Sequence, residues 1–300
     1  MRVVFMPKAI LVTGANGQLG SELRELSNLN TDFIFTFISR DELDLSDSAA
    51  IQNWFVDKTF DVIINCAAYT AVDKAQAEPD LARAINSVAV ETLARIAKAK
   101  NSALIHISTD YVFNGKNYQP YNETDLTDPQ GIYGQTKFEG EQAMLAINPA
   151  KSVIIRTSWV YSKFGNNFVK TMLRLGKERE ELGVIYDQVG TPTSARDLAE
   201  AILAIIRHPK LESVTDTEVY HFSNEGVCSW YDFAKAIFAL SALTCRVKPI
   251  ETKDYPTPAS RPHYSLLNKA KIKNTFDLTI PYWKDSLADC LNSLTGTEHL

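Results

Sequence analysis

The feature that most constrains this chain is an alternation: short apolar runs rich in Val and Ile recur along it, each followed by a segment of helical periodicity. "AILVTG" (9–14), "DFIFTFIS" (32–39), "DVIINCAA" (61–68), "ALIHIST" (103–109), "SVIIRTSW" (152–159) and "ELGVIYD" (181–187) read as strands. Runs this apolar have no polar face to give to water, so both sides of the sheet they form must be covered. Between them lie segments such as "PDLARAINSVAVETLARIAKAK", in which Ile85, Val88, Thr92 and Ile96 are expected on one face. The expectation is an α/β chain built on a doubly wound parallel sheet of the Rossmann type. From about residue 215 the rhythm loosens, and the Pro-rich "KDYPTPASRPHYS" (253–265) ends any simple repeat. A smaller C-terminal substrate lobe is therefore expected. Residues 1–155 are assigned to dinucleotide binding, with segments near 181–210 returning to that part, and 156–300 mainly to the substrate lobe.

With 300 residues and 45% hydrophobic content the chain can bury a full core. Its formal net charge is −5, from 31 basic and 36 acidic residues, and no long basic run interrupts it. A nucleic-acid or anionic-membrane surface thus has no compositional support, and an anionic ligand must be met locally. Cys66, Cys228, Cys245 and Cys290 form no CxxC, and His106, His208, His221, His263 and His299 show no metal-ligand spacing. Reduced thiols, a cytoplasmic setting and no bound metal follow as expectations. The opening "MRVVFMPKAILV" is too short an apolar run for a secretory signal or a membrane span, so the mature protein is expected to begin there.

The first strand runs into "TGANGQLGSEL", which places Gly14, Gly17 and Gly20 three apart at the entrance to a helix, with Asn16, Gln18 and Leu19 between them. Glycines there let the backbone approach a pyrophosphate, whose charge then meets exposed N–H groups at the positive end of the helix. The same pattern also fits an ordinary strand-to-helix turn. The second strand ends in "FISRDELDLSD", where an acidic residue would select the ribose hydroxyls of NAD; Ser39 and Arg40 occupy that tip. Arg40 suits a 2′-phosphate, or it is a solvated surface charge. Asp44 and Leu45 are expected beside the adenine, and "CAAYT" offers Ala67, Ala68 and Tyr69 for a cofactor to cross.

The fourth strand ends in "STDYVFNG", and "IYGQTKFEGE" then places Tyr133 and Lys137 one helical turn apart. In a doubly wound sheet a strand's carboxyl end and the first turn of the next helix line one crevice, so Thr109, Tyr133 and Lys137 are expected to converge. A free tyrosine titrates near about 10. An ammonium about 4 Å away, at an effective dielectric of about 20, favours the phenolate by up to about 4 kcal/mol, roughly three pK units. Tyr133 is thereby expected to exchange protons near neutrality and to protonate a carbonyl oxygen as hydride reaches its carbon.

Together with "AAYTAVDKAQAEP", "RTSWVYSKFGNNFVKTMLRL", "DQVGTPTSARDLA" and "YPTPASRPHYSLLN", these motifs resemble, over nearly the whole chain, the extended short-chain dehydrogenase/reductase superfamily and, within it, the dTDP-4-dehydrorhamnose reductase family. The resemblance implies Tyr133 as proton donor, Lys137 on the nicotinamide ribose and Thr109 assisting. It further implies sugar contacts at Thr109, Asp110, Tyr111 and Trp159, and a nucleotide-diphosphate region near Asn167 and Arg261. For Trp159 a core tryptophan, and for Arg261 a loop-capping arginine, are the competing readings. Related dehydratases place an acid pair after the threonine; here Asp110 is followed by Tyr111, which fits reduction without elimination. The implied reaction is reduction of the 4-keto group of dTDP-4-dehydro-6-deoxy-L-mannose, with NADPH favoured and NADH also used. The partner is a dTDP-sugar, with no nucleic acid and no membrane, and a homodimer is left open. Two rivals stand beside it: a non-catalytic regulatory subunit of the methionine adenosyltransferase type, and another nucleotide-sugar epimerase or dehydratase.

Overall fold

A computed structural model describes residues 7–296. The opening residues 1–6, part of the start considered above, and His299 lie outside the described residues. Strands β1 (Lys8–Thr13), β2 (Phe33–Ile38), β3 (Val62–Asn65), β4 (Ala103–Thr109) and β5 (Val153–Thr157) join a sixth strand, Glu218–His221, in one sheet. The order is β2, β1, β3, β4, β5, then Glu218–His221, and every neighbouring pair is parallel. Successive residues of one strand serve opposite layers, as the pleat dictates. Ile10, Val12, Ile64, Ile105 and Ile155 pack with the helix α1 (Gln18–Ser27) and the helix Ala195–Arg207. Leu11, Ile63, Leu104 and Ile154 pack on the other side with the helix Ala89–Lys100 and with Met144 of the helix Ile132–Ile147. The doubly wound α/β sheet read from the sequence is the sheet that forms.

Strand order reverses at β1, whose neighbours are β2 on one side and β3 on the other. Connections leave this point in opposite directions, which opens a crevice at the carboxyl ends of the strands. A second core, away from the sheet, gathers Tyr161, Val169, Leu182, Val184, Phe233, Phe238, Val247 and Trp283.

Two expectations need correction. "ELGVIYD" does form a strand, Glu181–Ile185, but it pairs in parallel with Arg246–Ile250 as a separate ribbon in that second core. The sixth strand of the central sheet is "EVYH", Glu218–His221, whose brevity and polar residues hid it from a search for apolar runs. The expected face Ile85, Val88, Thr92, Ile96 is also displaced: Val88 is exposed, and the helix buries Ala89, Val90, Leu93, Ala94 and Ala97 together with Thr92. The buried row is carried largely by alanines, whose small side chains give a weak apolar signal, and a π-helical turn over Ala84–Val88 precedes it.

Candidate active site

A crevice of about 1000 Å³ runs along the carboxyl ends of β1, β3 and β4, and it collects residues from the glycine turn, the tip of β2, the ends of β3 and β4, the Tyr133–Lys137 helix and the segment after β5. At its nucleotide end the chain leaves β1 through Gly14, whose φ of +66° lies in the left-handed region. A Cβ there would come within 2.7 Å of the Ala67 backbone nitrogen, so this glycine lets the turn approach the end of β3. Gly17 is the N-cap of α1 and has no side-chain cap, which leaves the first-turn N–H groups facing the crevice without a side-chain partner. Gly20 is spent on packing, because a Cβ there would collide with the Gly14 carbonyl oxygen and Ala15. Gly14, Asn16, Gly17, Gln18 and Leu19 line the crevice; Gly20 does not.

Ser39, Arg40, Asp44 and Leu45 line the same end, as do Ala67, Ala68 and Tyr69. Arg40 is not a free charge: its guanidinium meets the Asp44 carboxylate at 3.2 Å on an exposed surface. The Ser46 backbone N–H and hydroxyl, with Arg40 adding to them, hold the Asp44 carboxyl below its usual range. Tyr69 is fixed by buried Asn86, which accepts its backbone N–H at 2.8 Å and donates to its carbonyl at 3.1 Å.

The chemical end is built by β4 and the helix Ile132–Ile147. Gly134 lets that helix lie directly on the Tyr111 carbonyl, where any Cβ would overlap it. Close approach brings Tyr133 edge-on to the Tyr111 ring, centroids 5.4 Å apart. Thr109 caps the short turn Asp110–Val112; its hydroxyl donates to Asp110 Oδ1 at 2.9 Å and accepts the Tyr111 N–H at 3.2 Å. Thr109, Asp110, Tyr111, Tyr133 and Lys137 all line the crevice, so the expected convergence is present.

The electrostatics differ from the expectation. Burial pushes the Tyr133 phenol up to about 12, with the Thr109 hydroxyl pulling it partly back and Asp110 adding to the rise. Lys137 is not what governs Tyr133: its buried Nζ donates to the Ile107 carbonyl at 2.6 Å and lies 3.3 Å from His106 Nε2. Burial pushes Lys137 itself down to about 8, against an upward pull from Glu141. Expecting Tyr133 near neutrality counted the ammonium and omitted desolvation, which dominates at this depth. The phenol therefore keeps its proton across the neutral range. Asp110 is buried too, and its carboxyl is pushed up to about 7.

The outer residues divide. Trp159 lines the crevice, half-buried at a φ of +49°, stacked on Trp230 with centroids 3.7 Å apart and packed against the edge of the second core. Asn167 also lines it, but as the N-cap of Phe168–Glu178; its Nδ2 donates to Gln18 Oε1 at 2.9 Å. Arg261 lies outside the main crevice, on a smaller neighbouring pocket of about 330 Å³. It makes a bidentate pair with Asp73 at 2.6 and 2.7 Å and donates to the Ala259 carbonyl, so the loop-capping role is the one seen.

Four buried polar residues escaped the sequence reading. Glu141 holds Arg156 through a pair at 2.7 Å in which both side chains are almost wholly buried, and it accepts the Ser108 hydroxyl. His106 and Asn86 complete the set. The available signal was a polar residue in the centre of an apolar run, as at His106 in "ALIHIST" and Arg156 in "SVIIRTSW".

The model of a family described as the RmlD substrate binding domain matches residues 8–295. The chain is 42% identical to dTDP-4-dehydrorhamnose reductase of Escherichia coli K12 over 296 residues, 96% of this chain and 98% of that protein. The corresponding protein of Aggregatibacter actinomycetemcomitans is 42% identical over 284 residues, 93% and 96% of the two chains. Among solved structures, a dTDP-4-dehydrorhamnose reductase from Clostridium acetobutylicum superimposes with a TM-score of 0.89 at 42% identity, over 96% of this chain and 99% of that one. That of Bacillus anthracis, solved in complex with NADP, gives 0.88 at 39% identity over 96% and 100%. The match takes in the sheet, the crevice and the second core alike, and the chain belongs to the RmlD substrate binding domain family.

Proposed function

We propose that the chain reduces the 4-keto group of dTDP-4-dehydro-6-deoxy-L-mannose to dTDP-L-rhamnose with NADPH. The observation that carries the chemistry is a buried phenol, Tyr133, kept protonated beside Thr109 at the end of a crevice whose other end is an uncapped helix N-terminus. That crevice fits a dinucleotide: Gly17 leaves backbone N–H groups for a pyrophosphate, and Ala67 and Ala68 leave room across β3. Ser39, Arg40, Asp44 and Leu45 would meet the adenosine part, and Lys137 the nicotinamide ribose. NADPH, when bound, supplies the hydride.

Tyr133 gives its hydroxyl proton to the substrate's C4 oxygen, which would otherwise carry the negative charge left by hydride addition. Thr109 holds that oxygen in line by turning its one hydroxyl proton from Asp110 Oδ1 to the substrate. Asp110 and Tyr111 flank the sugar, and Trp159, rigid on Trp230, offers a flat face for it. Asn167, locked to Gln18, ties the second lobe to the glycine turn. Arg261, with Asp73 on two of its N–H groups, would meet the nucleotide diphosphate with the donors that Asp73 and Ala259 leave over. In this division of labour the sheet holds the cofactor and the second core carries the sugar-nucleotide side. A cytoplasmic setting belongs to the same reading; the four cysteines are unpaired, and no helix among the described residues is long and apolar enough to cross a membrane. A regulatory subunit would need neither the proton donor nor the open helix end.

The test is incubation with the dTDP-keto-sugar, generated in place from dTDP-glucose by upstream enzymes, while reduced-nicotinamide absorbance is followed. Loss of absorbance that requires the keto-sugar, with dTDP-L-rhamnose as product, is the expected result. No oxidation of NADPH or NADH in its presence would overturn the assignment.

A further inference from the structure

Sheet register places three polar side chains in one row beneath the helix Ile132–Ile147. Thr13 on β1 is opposite Asn65 on β3, and Asn65 is opposite His106 on β4. All three are essentially inaccessible to water. They form a chain: the Thr13 hydroxyl donates to Asn65 Oδ1 at 2.7 Å, Asn65 Nδ2 lies 3.1 Å from His106 Nδ1, and His106 Nε2 lies 3.3 Å from Lys137 Nζ. Burial and the neighbouring Lys137 hold the imidazole well below its usual titration range, so it stays neutral. A neutral imidazole has one N–H and one lone pair, and the chain must respect that.

The count allows one arrangement for the ammonium and two for the amine, since a neutral amine can go on donating to Nε2; the two that leave no lone pair of Nζ or the ring unused are these. With Lys137 as a neutral amine, His106 Nε2–H donates to Nζ, Nδ1 accepts from Asn65 Nδ2, and Asn65 Oδ1 accepts from Thr13. With Lys137 as an ammonium, Nζ donates to Nε2, so the ring proton must sit on Nδ1. Asn65 then turns its amide so that Oδ1 accepts that proton and Nδ2 donates to Thr13. The balance between them is one proton to solvent: ammonium plus Nδ1–H imidazole becomes amine plus Nε2–H imidazole plus H⁺.

We propose that His106 is a positioning residue for Lys137, holding Nζ at the end of β4 and matching, through its tautomer and the Asn65 amide, whichever charge Lys137 carries. Its bearing on catalysis rests on the reading of Lys137 as the ribose contact; the hydrogen-bond switch itself does not. Other groups around Lys137 are accounted for. Tyr133, one turn before it, keeps its proton, and Glu141, one turn after it, is paired with Arg156 from β5 and with Ser108. Asp110 is bonded to Thr109 at the strand end, and burial keeps Cys66, next to Asn65, as a thiol.

The experiment uses the full-length protein without cofactor, with ¹⁵N-histidine and ¹³Cε-lysine labels, the Lys137 signal being assigned by its loss in Lys137→Met. Lys137 should titrate near its lowered value of about 8. The His106 ring proton should move from Nδ1 below that point to Nε2 above it, with the same midpoint. In His106→Leu the ammonium loses one acceptor and the amine loses its donor, so the Lys137 midpoint should fall by about one unit, the difference between a charge-assisted and a neutral hydrogen bond. His106→Gln, whose amide can still reach Nζ, should restore it to within about half a unit. An unchanged ring tautomer across the titration, or an unmoved Lys137 midpoint in His106→Leu, overturns the proposal. Should the leucine variant fail to fold, the tautomer measurement on the parent decides alone. A moved midpoint with unchanged NADPH affinity and turnover supports the switch and counts against Lys137 as the ribose contact.

Discussion

Asp110 gives the sharpest link between the site and stability. The carboxyl is essentially buried, and burial lifts it from 3.8 to about 7. In the unfolded chain it would lose its proton near 3.8, so between these two values the folded state binds more protons than the unfolded one. Stability therefore falls as pH rises through this window and stays low above it. Three pK units correspond to roughly 4 kcal/mol at most, a large share of a typical folding free energy. Asp110→Asn keeps the Oδ1 acceptor for the Thr109 hydroxyl and removes the ionisation. The variant should melt several degrees above the parent at about pH 8 and show little gain at about pH 4, where the folded carboxyl is protonated and the unfolded one is only about half ionised. Thermal unfolding followed by circular dichroism at the two pH values measures the difference. Equal gains at both values, or none at either, would refute the argument, because the carboxyl would then ionise as freely in the fold as in the open chain. A gain accompanied by reduced turnover would mean that the site keeps a buried acid at the expense of stability.

Other consequences follow from the same geometry. Tyr133→Phe removes only the hydroxyl and should lower turnover by roughly two to four orders of magnitude with NADPH binding nearly unchanged; retention of more than about a tenth of the rate would remove Tyr133 as the acid. Lys137→Met should weaken NADPH binding and turnover together, and should abolish any kinetic limb near pH 8, where the lysine titrates. An unchanged cofactor dissociation constant would place Lys137 outside the ribose site. Arg40→Ala should reduce the preference for NADPH over NADH, measured as the ratio of kcat/KM values. A charge-assisted contact of roughly 1.5 to 3 kcal/mol sets the ceiling at about tenfold to a hundredfold. The exposed pair with Asp44 lowers the expected effect toward the small end, because one partner is already in place. A parent that prefers NADH, or an unaltered ratio in the variant, makes Arg40 a surface charge.

Local patterns in the sequence carried the sheet and the outline of the crevice, because apolar runs and glycine spacing act over a few residues. The seven residues of "ALIHIST" are β4 end to end, and Tyr133 and Lys137 are neighbours on a helix by its periodicity alone. What the tertiary structure decided was partnership and depth. The run at 181–187 had the composition of a sheet strand, yet only packing against Arg246–Ile250 and the second core assigned it elsewhere. The helix Ala89–Lys100 buries a row rich in alanine and not the larger apolar residues its periodicity marked, because packing distance to the sheet and to the helix Ile132–Ile147 selects the small side chains. The partner of Arg261, Asp73, lies far off in sequence, so no local pattern announced that pair. The proton affinities followed the same rule. Spacing put a lysine near a tyrosine, but the sign of the shift came from burial, with the lysine turned toward Ile107 and His106. Desolvation and hydrogen-bond partners arise from chain segments that meet only after folding, so no local pattern encodes them.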